Sequence, residues 1–195
     1  MNSAIVRLTL LAPTAGPHRI LGMAISDGER REVARWAADC AERGLPLYEA
    51  LAPDDARPRE AVQVARAFAE GTTGRSRTLS RIALAAHRAG SEIGDPVGLA
   101  AARSASLAAA AANIHGEATV GTMGHILGSA SYAALARELA GGGQAAADEE
   151  VRWAAQRASA AVCDLIGRVP PGTPGRGRLT EIQNQLEGAL RERAY

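Results

Sequence analysis

The stretch LAAARSASLAAAAANI, residues 99–114, constrains this chain more than any other. Apart from Leu99, Arg103, Leu107, Asn113 and Ile114, every side chain in it is Ala or Ser. Ala is the strongest helix former, and a helix that is small and apolar on nearly every face belongs inside a ring of neighbours rather than at a surface. The stretch therefore predicts a central, surrounded helix. Composition agrees: hydrophobic residues make up 47% of the 195 and aromatic ones only 3%, so the core has to be built from Ala, Leu, Val and Ile.

The remaining helices are read between Pro and Gly punctuation. One follows SDGERR, where Ser26 or Asp27 can cap, and carries Val33, Trp36, Ala37 and Cys40 at helical spacing as far as Gly44. A short one after Pro46 holds Leu47, Tyr48 and Leu51. Pro58 opens a third over 58–70, with Ala61, Val62, Ala65 and Phe68 on one face. A fourth spans about Ser76 to Gly90 with Leu79, Ile82, Ala83 and Ala86 inward. The Gly-rich segment 117–140, the segment 145–167 and a last amphipathic helix with Leu179, Ile182, Leu186 and Leu190 follow the central one. The expectation is an all-α, antiparallel bundle of about seven helices, with a short solenoid-like array as the variant. Residues 1–25 read as an N-terminal arm, 26–167 as the helical domain, 168–178 as a Pro/Gly-rich linker and 179–195 as a C-terminal helix.

Charge narrows the function classes. The 22 basic residues, all Arg, balance 21 acidic ones for a net charge of +1. That argues against a nucleic-acid or anionic-membrane surface, which needs a clustered excess of cations. No apolar run approaches the roughly twenty residues of a membrane helix. The N-terminal MNSAIVRLTLLAPTAG is interrupted by Arg7 and stops at Pro13, unlike a signal peptide. Cys40 and Cys163 lie far apart in helical patterns, as buried thiols of a reducing, cytoplasmic compartment do. His115, Glu117 and His125 lack the spacing of a metal motif, so neither metal nor cofactor is expected.

WAADCAERGLPLYE, residues 36–49, gathers a Trp, an Asp, a Cys and a Tyr. Cys40 falls late in its helix, where the dipole opposes a thiolate. It therefore reads as core beside Trp36, with Asp39 one turn from both Arg35 and Arg43 as the middle of a surface ladder. The longer stretch RWAADCAERGLPLYEALAPDDARPREAVQVARAFAEG, followed by ALAAHRAG, resembles the bacterial immunity-protein-five-like family. The matching positions are Trp36, Cys40, Ala41, Glu42, Leu45, Leu47, Tyr48, Glu49, Asp55, Arg57, Pro58, Arg59, Ala65 and Arg66, and the resemblance covers roughly residues 30–140. It implies a non-catalytic helical protein that occludes a protein partner such as a toxin, and it brings no catalytic residues with it. The family's His-containing segment has two counterparts here, His115 and His125.

One stripe can carry chemistry. Asn113, Glu117, Gly121, His125 and Ser129 are four apart, so a continuous helix would align them. Glu117 and His125 would then flank a ligand over Gly121 as an acid–base pair in an apolar pocket, with Asn113, His115, Met123, Ile126 and Tyr132 around it. This is the alternative class: a small-molecule-binding resistance protein or a small helical enzyme. For protein contact, Trp153 beside Arg157 reads as an interface anchor. Leu186 marks the last helix as a face that docks on its own bundle or on a second copy of the chain.

Overall fold

The computed structural model describes residues 24–114, 120–172 and 175–194. Residues 1–23 of the N-terminal arm, His115 and Glu117 lie outside the described residues. The described residues form eight α-helices: α1 (Asp27–Leu51), α2 (Arg57–Glu70), α3 (Arg77–Glu92), α4 (Pro96–Ala111), α5 (Val120–Arg137), α6 (Gly143–Arg157), α7 (Ala160–Arg168) and α8 (Arg178–Glu192). A π-type turn, Glu138–Gly142, joins α5 to α6. No β-strand forms among the described residues, so the molecule is the all-α multi-helix bundle its sequence predicts. No described helix is long and apolar enough to cross a membrane.

The alanine-rich stretch is α4, and it occupies the centre. Asp95 caps it by accepting from the amides of Val97 and Gly98 at 2.8 and 2.9 Å, and Pro96 stands at its first position. α1, α2, α3 and α5 all pack on it. Its serines are buried and satisfied: Ser104 donates to the Ser129 carbonyl at 2.7 Å, and Ser106 to the Ala83 carbonyl at 2.8 Å. At Gly90 of α3 the close approach involves backbone: a Cβ there would lie 3.0 Å from the Ala102 Cβ and 3.1 Å from the Leu99 carbonyl oxygen.

Two helix boundaries differ from the sequence reading. α1 runs straight through Gly44 and Pro46 to Leu51, starting from a capping box in which the Ser26 hydroxyl and the Glu29 carboxylate each accept from the other's backbone amide. An internal proline removes a hydrogen bond and costs about 3 kcal/mol, but Leu45 and Tyr48 on either side of Pro46 are buried and hold the last turns to the core. Gly44 serves contact with Ala133 of α5 instead of a stop. Conversely, segment 145–167 breaks at Ala158 and Ser159, both extended, into α6 and α7. No Pro or Gly marks that break. Tertiary partners reach the break: the Trp36 indole donates to the Ala154 oxygen at 2.8 Å, which also accepts from the Ala158 amide, and Arg193 donates to the Ala158 oxygen at 3.3 Å.

α8 lies on α5, α6 and α7. Ile182, Leu186 and Leu190 have no exposed surface, which places Leu186 inside the bundle rather than on an outer interface.

Substitutions at two helical glycines should act in opposite directions. Gly90→Val should lower the unfolding free energy by about 1–3 kcal/mol, because α3 and α4 would have to separate. Gly124 of α5 is exposed and has nothing within 4 Å of a built Cβ, so Gly124→Ala should raise it by about 0.5–1 kcal/mol. Urea denaturation of both variants measures each effect.

Candidate functional site

The residues of the 36–66 pattern face one another across α1 and α2. Arg66 on α2 forms a two-pronged pair with Glu42 on α1, at 2.9 and 2.6 Å, and also meets Asp39. Arg59 reaches Glu49 at 2.5 Å. Where the helices join, the Tyr48 hydroxyl donates to Asp55 at 2.7 Å, and Arg57 grips the same carboxylate while also pairing with Glu92 of α3 at 2.8 Å. The Arg57 guanidinium holds the Asp55 carboxyl well below the usual range, burial opposing it and the Tyr48 hydrogen bond adding to it. Burial, together with the bond to Asp55, pushes the Tyr48 phenol up to about 12. These residues tie α1, α2 and α3 into one unit, so the pattern is structural chemistry.

Asp39 is the middle of a charged network, but not of a ladder along its own helix. It pairs with Arg66 of α2 and, at 2.7 Å, with Arg157 of α6, while Arg35 takes Glu32. Arg43 turns to Glu150 of α6, a buried carboxylate it holds through two bonds of 2.6 and 2.7 Å, with Arg137 on the far side at 3.4 Å. The same guanidinium lies 4.4 Å over the Trp153 ring. Trp153 is thus half-buried beneath Arg43, and Arg157 is engaged elsewhere. Burial, and next the charges of Asp39 and Glu150, push the Cys40 thiol well up, which leaves it an inert core group.

The proposed stripe does not lie on one helix. α4 ends at Ala111, Asn113 sits in the turn beyond it, and α5 begins at Val120. Asn113, Gly121 and His125 nevertheless meet, because the turn carries them to one groove of about 520 Å³ between α3 and α5. Ala83, Ala110 and Ile114 line it as well, and the Asn113 amide donates to the Ser80 hydroxyl at 2.9 Å on its rim. Ser129 is instead buried, its hydroxyl donating to the Ala37 carbonyl at 2.8 Å. Met123, Ile126 and Tyr132 do not share that groove. Met123 lines a second one, of about 270 Å³, against α8; Ile126 is in the core; Tyr132 belongs to a satellite cluster around Tyr48. Among the described residues, no group of three His, Cys, Asp or Glu could hold a metal ion.

Sequence reading passed over the outward face of α3. Arg77, Arg81, Leu84 and Arg88 are all exposed there, and their spacing of four, three and four was a legible signal.

The tie between Arg43 and Glu150 yields a stability prediction. Arg43→Ala should cost about 2–4 kcal/mol, because it leaves a buried carboxylate held by Arg137 alone, whereas Arg43→Met with Glu150→Met should recover most of the loss. The Tyr48–Asp55 pair yields a pH profile. The depressed Asp55 contributes stability that is complete above the ordinary carboxylate pKa of about 4 and is lost progressively as pH falls from there toward the lowered Asp55 value. The raised Tyr48 contributes stability that is complete below about pH 10 and disappears as pH rises toward about 12. Denaturation midpoints across pH should lose the acid component in Asp55→Asn and the alkaline component in Tyr48→Phe.

No curated protein and no solved structure matches the chain significantly. A family model does, the one described as "Imm-5 like putative immunity protein", over residues 23–161. That span runs from the residues before α1 to the start of α7 and includes the whole of the α1–α2 pattern as well as the groove between α3 and α5. On this match the chain belongs to the Imm-5 like immunity protein family.

Proposed function

We propose that this protein is an immunity-type binding protein, which neutralises a cognate protein by occupying a surface that the partner needs for its action. Family membership over residues 23–161 carries the reading. The chemistry is compatible with it: Cys40 is sealed in the core, and the polar residues of the α1–α2 pattern are engaged with one another. The open features of the molecule are shapes and charges suited to contact. Of the three residues read as an interface, Trp153 and Arg157 reach solvent and Leu186 does not.

A second reading rests on the groove between α3 and α5. Its volume of about 520 Å³ and its mixture of Ala83, Ala110 and Ile114 with Asn113 and His125 suit a small ligand.

Native mass spectrometry of the protein purified from its own host separates the two. A co-purifying polypeptide is the expected result. That polypeptide should arrest growth when produced alone, and co-production of this chain should restore growth. A small-molecule adduct without a polypeptide would favour the groove, and no growth rescue would overturn the immunity reading. Trp153→Ala should weaken the complex about tenfold if the α1–α6 face is the contact, a loss of about 1.4 kcal/mol. Unchanged affinity would remove that face from the proposal.

A further inference from the structure

We propose that the outward face of α3 is the docking surface for an acidic segment of the protein partner. The inference rests on the binding reading above and names the partner's chemistry. α3 is a peripheral helix that packs on α2 and α4. Leu79, Ala83 and Ala86 point inward, and Arg77, Arg81, Leu84 and Arg88 form the opposite face. Leu84 is 48% exposed in the middle of it.

These arginines differ from the rest. Eleven others hold a carboxylate, most of them across helices. Among the described residues, Arg77, Arg81 and Arg88 hold none, because residues 71–91 contain no Asp or Glu at all. Glu92, the first acid beyond them, is taken by Arg57 at 2.8 Å. Arg103 of α4 adds a further cation without a carboxylate, bonded to the His87 ring nitrogen at 2.7 Å and to the Ser91 hydroxyl at 3.3 Å. The face is therefore an uncompensated positive strip on a chain whose net charge is only +1.

Charge complementarity selects the occupant. A segment bearing carboxylates would pair three guanidiniums in the fork geometry that Arg favours, and its own apolar side chains would cover Leu84. A nucleic acid fits less well. Its affinity comes from neutralising many phosphates, whereas this strip is short, eleven other arginines are already paired with carboxylates, and Leu84 would gain nothing from a phosphate backbone.

The test uses the full chain and a fluorescent Glu-rich helical peptide, read by anisotropy at low and at physiological salt. The triple variant Arg77→Glu, Arg81→Glu, Arg88→Glu should bind it about tenfold more weakly or worse, since three exposed pairs are lost and replaced by like-charge contacts. The matched reversal of Arg152, Arg176 and Arg193, which changes net charge equally, should leave binding near wild type. Should the reversed α3 variant fail to melt cooperatively, the milder triple Arg→Gln variant takes its place and should show the same selective loss. Absence of peptide binding, equal losses in both triples, or tighter binding of duplex DNA to the same face overturns the assignment. Growth rescue that survives reversal of α3 overturns the assignment alone, whereas absence of rescue by the unaltered chain overturns the immunity reading itself.

Discussion

The bundle depends on how closely helices can approach α4. Its buried face is Ala and Ser, so the distance between helix axes is set by backbones and methyl groups rather than by long side chains. Dispersion contacts per unit area are then dense even though each side chain contributes little apolar surface. Any protrusion into that layer separates two helices at once, as at Gly90, where a Cβ would meet the Ala102 Cβ and the Leu99 backbone. The serines belong to the same arrangement. Each is small enough to sit in the layer, and Ser104, Ser106 and Ser129 spend their hydroxyls on carbonyls of neighbouring helices, which fixes register where Ala alone would permit sliding.

Around this layer the longer side chains act as ties. Trp36 closes the open end of α6, Arg66 and Arg59 fasten α2 to α1, and Arg43 brings the buried Glu150 to α1 while covering Trp153. An exposed ion pair contributes little alone. Here the pairs share partners: Asp39 serves two arginines from different helices, and Arg57 two acids. Such sharing makes the interhelical geometry, rather than the stability of any one pair, the property that the family pattern encodes.

Which features were legible follows from whether their cause is local. The all-α class, the cap at Ser26 and the central place of 99–114 depend on propensity and spacing, and they stand in the sequence. The passage of α1 through Pro46 depends on Tyr48 and Leu45 finding a core, and the carbonyl left open at Ala158 is met by Arg193, 35 residues later in the chain. Neither has a local marker. The groove shows a mixed case. Asn113, Gly121 and His125 were grouped on the premise of one helix; they do come together, but through a turn after α4. The outward face of α3 failed to register for a different reason. Attention to which residues point inward leaves the opposite face described only as polar, and an average over the whole chain conceals that residues 71–91 hold no Asp or Glu.

That segregation has an energetic side. α3 opens with Arg77 in its first turn and no acid there, against the helix dipole. Arg77 and Arg81 are like charges four residues apart, a pairing that disfavours a helix by a few tenths of a kcal/mol. Leu84 then exposes an apolar side chain between cations. A single exchange of Arg77 for Glu would correct the first two faults, and elsewhere this chain places Glu29 and Glu181 in first turns. Consistency between local preference and fold is the rule for a sequence that specifies one structure, and departures from it gather where a protein meets something else. In α3 all three departures are relieved by one event, the arrival of carboxylates along a helix face that none of the described residues covers.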